Sequence, residues 1–213
     1  MNQSNAMKEN SILRAEARAA LKGNWGSSAL YYLVYLIITS IVSSIFSVNY
    51  GNENLVYGTT LLGVLVVCPL VYGLMVGFLE VFRGNSLEIE TLFSGFKSRI
   101  WSTEALKYIY IILWSLLLLI PGIIKSYSYA MTEYILKDNP ELQNNAAIEK
   151  SMEMMNGHKL RLFLLHLSFI GWYIVGVLTL FIGFFWIIPY VHTAEAAFYE
   201  DLKAQQEPII EEM

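Results

Sequence analysis

Cysteine is nearly absent: Cys68 is the only one in 213 residues, and it lies inside an apolar run. No disulfide framework and no cysteine metal cluster can be built from it, and the plain role of such a residue is a small buried hydrophobe. Charge is also scarce. Charged residues make up 15% of the chain, against roughly 25% in an ordinary soluble domain, while 55% are hydrophobic and the mean hydropathy is +0.47. Basic residues are few, with 14 Lys and Arg against 18 Asp and Glu for a net charge of -4, and no basic run interleaves with aromatics. That excludes a nucleic-acid partner. The metalloprotease pattern H-E-x-x-H, the G-x-S-x-G elbow and the G-x-x-x-x-G-K-[ST] phosphate loop are all missing, so proteolytic, acyl-transfer and ATP-driven readings lose their usual support. No cofactor or metal is expected, and no catalytic residues are assigned.

What remains is lipid-like sequence. Residues 27–52, 55–79 and 167–191 contain no Lys, Arg, Asp, Glu or His. A bilayer-crossing helix needs about 20 such residues. The expected fold class is all-α, a polytopic helical membrane protein of about six hydrophobic helices arranged as three hairpins with interfacial amphipathic helices. Residues 1–6 resemble a remnant of tag cleavage, 7–203 form a single membrane domain and 204–213 an acidic disordered tail. The run from Trp25 follows a polar stretch and has no small-residue cleavage site, so it is read as a retained span.

Ser11 is placed to cap a helix whose apolar stripe is Leu13, Ala17, Ala20 and Leu21, with Arg14, Arg18 and Lys22 repeating at i, i+4, i+8 on another face. This is a basic amphipathic helix suited to anionic headgroups. Spans follow at about Trp25–Val48 and Leu55–Phe82, joined by the turn-rich Asn49–Asn54, and Ile89, Leu92, Phe93 and Phe96 mark a short amphipathic helix. The segment Trp101–Leu136 reads as one span or as two short ones meeting at Pro121-Gly122. The hairpin is preferred, because it puts Lys125, Lys137, Lys150, Lys159 and Arg161 on the same side as the other basic residues. Whether that hairpin crosses fully stays open, since each half has only about 15 apolar residues. Asn139-Pro140 is expected to open a helix with the stripe Ile148, Met152, Met155, closed by Gly157. A last hairpin, Phe163–Leu180 and Phe184–Leu202, leaves both termini cytoplasmic.

Each hairpin is preceded by a glycine with basic and aromatic neighbours (Lys22-Gly23-Asn24-Trp25, Gly95-Phe96-Lys97, Gly157-His158-Lys159), and Tyr72, Lys125 and His192 each stand eight residues before a glutamate, Glu80, Glu133 and Glu200. These matches suggest a threefold repeat, although apolar background produces such matches readily.

Ile120-Pro121-Gly122-Ile123, Tyr127 and Tyr129, Asp138-Asn139-Pro140, Ser151 to Lys159, Leu167 to Trp172, Pro189-Tyr190 and Phe198-Tyr199 form an ordered string. It resembles a bacterial membrane family catalogued as domain of unknown function 975, over nearly the whole chain from Met7 to about Lys203. The resemblance implies a multi-spanning protein of the bacterial cytoplasmic membrane, distantly similar in layout to the membrane domain attached to some glycerophosphodiester phosphodiesterases. It carries an architecture and no catalytic residues, and no phosphodiesterase domain is present here.

Ionisable groups at membrane depth cost roughly 2.5–3.5 kcal/mol each, so Glu80, Lys125, Glu133, His166, His192 and Glu195 need a reason to be there. Lys125, Ser128, Tyr129, Thr132 and Glu133 share one helical face and, with His192 and Glu195, define a candidate polar path; the plainer alternative pairs Lys125 with Glu133 or Glu195 between packed helices. Gly73 and Gly77 form a small-x-x-x-small pair, suited to close packing within the chain or to dimerisation. Three functions follow, in order: a non-enzymatic membrane component that binds a partner or maintains the envelope; a small transporter or channel using the polar path; and a lipid-acting enzyme with Glu133 or His192 as acid or base. Expected partners are the bilayer, anionic headgroups on the cytoplasmic face, and a membrane protein or a second copy of the chain.

Overall fold

A computed structural model describes residues 7–46, 53–117, 119–142 and 144–206. Residues 1–6, most of the expected turn at 49–54 and residues 207–213 of the expected tail at 204–213 lie outside the described residues, while Ala204, Gln205 and Gln206 of that tail are helical and close α10. Every regular element among the described residues is helical: α1 (Asn10–Leu21), α2 (Trp25–Phe46), α3 (Glu53–Phe82), a 3₁₀ helix (Ile89–Phe96), α4 (Ser98–Leu117), α5 (Leu119–Ser128), α6 (Thr132–Asp138), α7 (Asn145–Met154), α8 (Lys159–Leu167), α9 (Ile170–Leu178) and α10 (Phe184–Gln206).

Two stretches are long and apolar enough to cross a membrane, Trp25–Ile45 and Lys159–Leu178. Only 11% of the first is buried inside the fold. A core helix of a soluble domain would be mostly covered by protein, and this one is not.

The core lies where α1, α3, α6, α7, α8 and α10 meet. Leu13, Ala17 and Leu21 of α1 join Tyr134, Ala194, Phe198 and Tyr199 in one buried cluster, in keeping with the expected apolar stripe. Ser11 does not cap this helix. Glu9 stands at the cap without a side-chain bond, because Ser11 already lies in the first turn and donates its hydroxyl to the Glu9 carboxylate. The expected amphipathic helix at 89–96 is a 3₁₀ helix, whose three-residue turn brings Leu92 and Gly95 into line against α3 while Phe93 and Phe96 stay exposed. The contact is backbone on backbone: a Cβ on Gly73 would stand 2.1 Å from the Leu92 carbonyl oxygen, and one on Gly95 2.1 Å from that of Pro69. Tyr31 fills the space over Gly77 and donates its hydroxyl to the Gly73 carbonyl at 2.8 Å. The Gly73/Gly77 stripe is therefore occupied within the chain.

The middle hairpin turns earlier than expected. α4 ends at Leu117 and α5 starts at Leu119, which puts Pro121 in the first turn of α5, where its missing N–H costs no helical hydrogen bond. Gly122 then rests against Ser115 of α4. Nor does Asn139-Pro140 open a helix. The Asn139 backbone and side-chain amides both donate to the Ile135 carbonyl and close α6, and α7 begins only after Asn144, held at φ 52° with its N–H on the Thr103 hydroxyl. The expected close at Gly157 is present, with φ 79°.

Candidate functional site

The decisive local event is a break in the second helix of the middle hairpin. Residues 129–131 form a turn between α5 and α6, so the face that an unbroken helix would carry from Lys125 to Glu133 is divided. Lys125 points toward α4 and α7: its Nζ stands 4.9 Å from the Trp114 ring centre, 5.9 Å from that of Tyr129, and 3.7 Å from the Met152 sulfur. These residues, with Tyr110, Asn145, Ile148 and Glu149, line an open pocket of about 270 Å³. Ser128 is buried, with its hydroxyl on the Ile124 carbonyl and its own carbonyl accepting from Ser151. Lys125 and Ser128 thus do not line the cavity that holds Glu133, while Tyr129 lines both that cavity and the pocket around Lys125.

Glu133 turns inward instead, to Lys107 of α4, with which it makes a close buried ion pair. Lys107 also faces Glu104 at 2.8 Å, and all three side chains are almost wholly excluded from solvent. Two carboxylates share one ammonium. Glu104 Oε1 and Glu133 Oε2 have no hydrogen-bond partner, although polar atoms at such depth nearly always find one. Lys107 and Glu104 escaped the sequence-based selection of polar residues. Their signal was the i, i+3 spacing of opposite charges within an otherwise apolar helix.

Glu195 sits between two histidines. His166 Nε2 lies 2.6 Å from Glu195 Oε1, His192 Nδ1 lies 2.7 Å from Oε2, and Tyr127 Oη lies 3.2 Å from the remaining His166 nitrogen. His192 also stacks on Phe78 of α3, at 5.8 Å between ring centres. His166 is 29 residues from Glu195 along the chain, and the fold brings the two together. A cavity of about 120 Å³ touches both acidic groups; its walls include Lys107, Glu133, Glu195, Ser126 and Tyr129. Among the described residues, no three His, Cys, Asp or Glu side chains converge as metal ligands.

A third cluster closes the base of the bundle. Asp138 accepts both Nη atoms of Arg83 at 2.7 Å, Lys203 at 2.8 Å and the Tyr199 hydroxyl at 3.0 Å, while Arg83 Nε reaches Glu200 at 2.6 Å. Burial pushes the Asp138 carboxyl up, but the bonds from Arg83 and Lys203 outweigh it and hold its pKa down at about 2. Burial pulls the Arg83 pKa down, but the bonds to Asp138 and Glu200 outweigh it and raise it above its ordinary value. On the nearby surface, α1 fastens to α8 and α10. Arg14 donates to the Ser168 carbonyl at 3.0 Å and Arg18 stands 5.8 Å over the Tyr190 ring, while Lys22 is exposed.

Residues 104–206 match the family model described as Protein of unknown function (DUF975). This segment, a little under half of the chain, is similar to that family. The matched segment begins at Glu104 itself and holds Lys107, Lys125, Glu133, Asp138, His166, His192 and Glu195, so both interior charge clusters fall wholly within it. Arg83, which closes the base cluster, follows directly on the end of α3 and lies before the segment. No curated protein and no solved structure matches the chain.

Proposed function

We propose that the protein is a multi-pass component of the bacterial cytoplasmic membrane that performs no covalent chemistry and works as an embedded scaffold, binding lipid and a protein partner to maintain the envelope. One observation carries this reading: the interior ionisable groups are engaged with one another, Glu133 with Lys107 and Glu195 with His166 and His192, while Leu, Ile, Phe and Trp side chains stand exposed around the outside. A group already bound to its neighbours serves packing, and exposed apolar surface of this extent serves contact with lipid or protein. Arg14, Arg18 and Lys22 then face anionic headgroups on the cytoplasmic side, each contributing about 1 kcal/mol near a negative leaflet.

A small-cation or proton transporter is the second reading. The shared cavity beside Glu133 and Glu195, with its unpartnered carboxylate oxygen, favours it. Proteoliposomes loaded with a pH-sensitive dye separate the two. The scaffold reading expects proton and potassium flux equal to that of protein-free vesicles; flux above that level, abolished in Glu195→Gln, would overturn it in favour of transport.

A further inference from the structure

We propose that the α9–α10 hairpin does not cross the membrane but dips about halfway, its tip ending among the acyl chains of the leaflet that carries α1. The depth of the hairpin rests on the multi-pass membrane reading proposed above, and so does the assignment of that leaflet as cytoplasmic.

The first argument is length measured against α2. The 22 residues of α2 span about 33 Å, enough for a hydrocarbon core of roughly 30 Å. The α9–α10 hairpin starts level with the foot of α2, because the Trp25 and Tyr190 rings meet at 6.1 Å. Its tip reaches only partway up: Leu180, Phe181, Ile182, Phe184 and Phe185 line a groove with Tyr32 and Leu36. Leu36 stands 11 residues beyond Trp25, or about 16 Å, roughly half the length of α2. The nine residues of α9 give a matching rise of about 14 Å above Ser168. Ser168 accepts from Arg14, so the hairpin enters at the level of the basic face of α1.

The second argument is the chemistry of the tip. The turn Thr179–Gly183 contains no charged residue, and Leu180 and Phe181 are 81% and 66% exposed. In hydrocarbon, every backbone donor must find a partner inside the protein. Here each does: Thr179 N–H bonds Val175 O, Leu180 bonds Val177 O, Phe181 bonds Gly176 O, Ile182 bonds Thr179 O, and Gly183 bonds the Thr179 hydroxyl, all at 3.0–3.1 Å. The turn therefore leaves no N–H in need of water.

The third argument is strain. Leu180 and Phe181 hold φ of 53° and 70°, a conformation that favours glycine. Bulky apolar side chains kept on such a backbone point to a use for the side chains, and acyl chains are the apolar surroundings available at that height.

The test uses single reporter cysteines in a Cys68→Ser background of the full chain, in cells and in inside-out vesicles, with a membrane-impermeant maleimide. Glu53→Cys is expected to label in intact cells, Lys22→Cys only in inside-out vesicles, and Phe181→Cys in neither; a bimane on residue 181 in nanodiscs is expected to be quenched most by lipids brominated along the acyl chain. Phe181→Cys labelling in intact cells would mean a full crossing, and labelling in inside-out vesicles a loop in water. Either overturns the proposal, whereas a Lys22→Cys that labels in intact cells overturns the cytoplasmic assignment of the α1 leaflet. Ile182→Cys serves as a second reporter if Phe181→Cys fails to fold, and Phe181→Lys is expected to lower membrane yield severalfold where an external loop would tolerate it. None of these readouts depends on the flux assay, so the scaffold reading and the half-depth hairpin fail separately.

Discussion

Charge is handled in opposite ways at two levels of this molecule. At the base, Asp138 receives four hydrogen bonds from Arg83, Lys203 and Tyr199, and the excess of bases is balanced by Glu200. In the interior, two acids divide a single lysine, and an oxygen on each of Glu104 and Glu133 is left without a partner. The base resembles a stabilising clasp, partly in contact with water and fully satisfied. The interior triad repays its desolvation poorly, because attraction in a low-dielectric setting offsets the cost only when the remaining lone pairs are also met. A well-satisfied cluster should therefore lose stability gradually when disturbed, and a poorly satisfied one abruptly.

The largest effect is expected from Lys107→Met, which leaves two buried carboxylates unpaired. Loss of a partner in such a site costs about 3–5 kcal/mol, read as a fall in thermal stability in detergent, and the double change Lys107→Met with Glu133→Gln should recover part of it. If the single change is neutral, the interior triad is not the strained partner in this comparison. At the base, the depressed pKa of Asp138 links its stabilisation to pH. The contribution is fully present above the ordinary carboxylate value near 3.9 and is lost as pH falls through about 2. Asp138→Asn should remove about 2 kcal/mol at pH 7 and flatten the acid limb of the stability curve between those values. The smallest effect is expected for Lys125→Met, which gives up only contacts with aromatic rings and should cost about 0.5–1 kcal/mol. Its effect should add to that of Glu133→Gln, since the two side chains make no direct contact; coupling above about 0.5 kcal/mol would show that they share a site after all.

The Leu180-Phe181 turn presents the same contrast without charge. Left-handed backbone at two bulky residues costs about 1–2 kcal/mol each, while transferring such side chains out of water returns about 1.5–3 kcal/mol each. Strain of this size persists where the surroundings repay it, which is the role the half-depth proposal gives to lipid.

Much of the fold was legible in the residues, because hydropathy and turn chemistry act locally. The foot of α2 at Trp25, the end of α3 at Phe82, the apolar stripe of α1 and the stop at Gly157 all stand where composition placed them. The candidate site was less legible. Helical periodicity put Lys125 and Glu133 on one face, but the turn at 129–131 separates them, and nothing within either helix announces a partner 26 residues away such as Lys107. Glu195 was correctly singled out as needing a reason to be buried, while the residue that completes its cradle, His166, comes from a different helix.

By itself the sequence determined that this is a helical chain with too little charge and too much continuous apolar surface for an ordinary soluble domain, since those properties are sums over residues. Only the tertiary structure decided which carboxylate meets which cation and how high each hairpin rises beside α2. Both depend on where separate helices lie against one another, and no single helix carries that information.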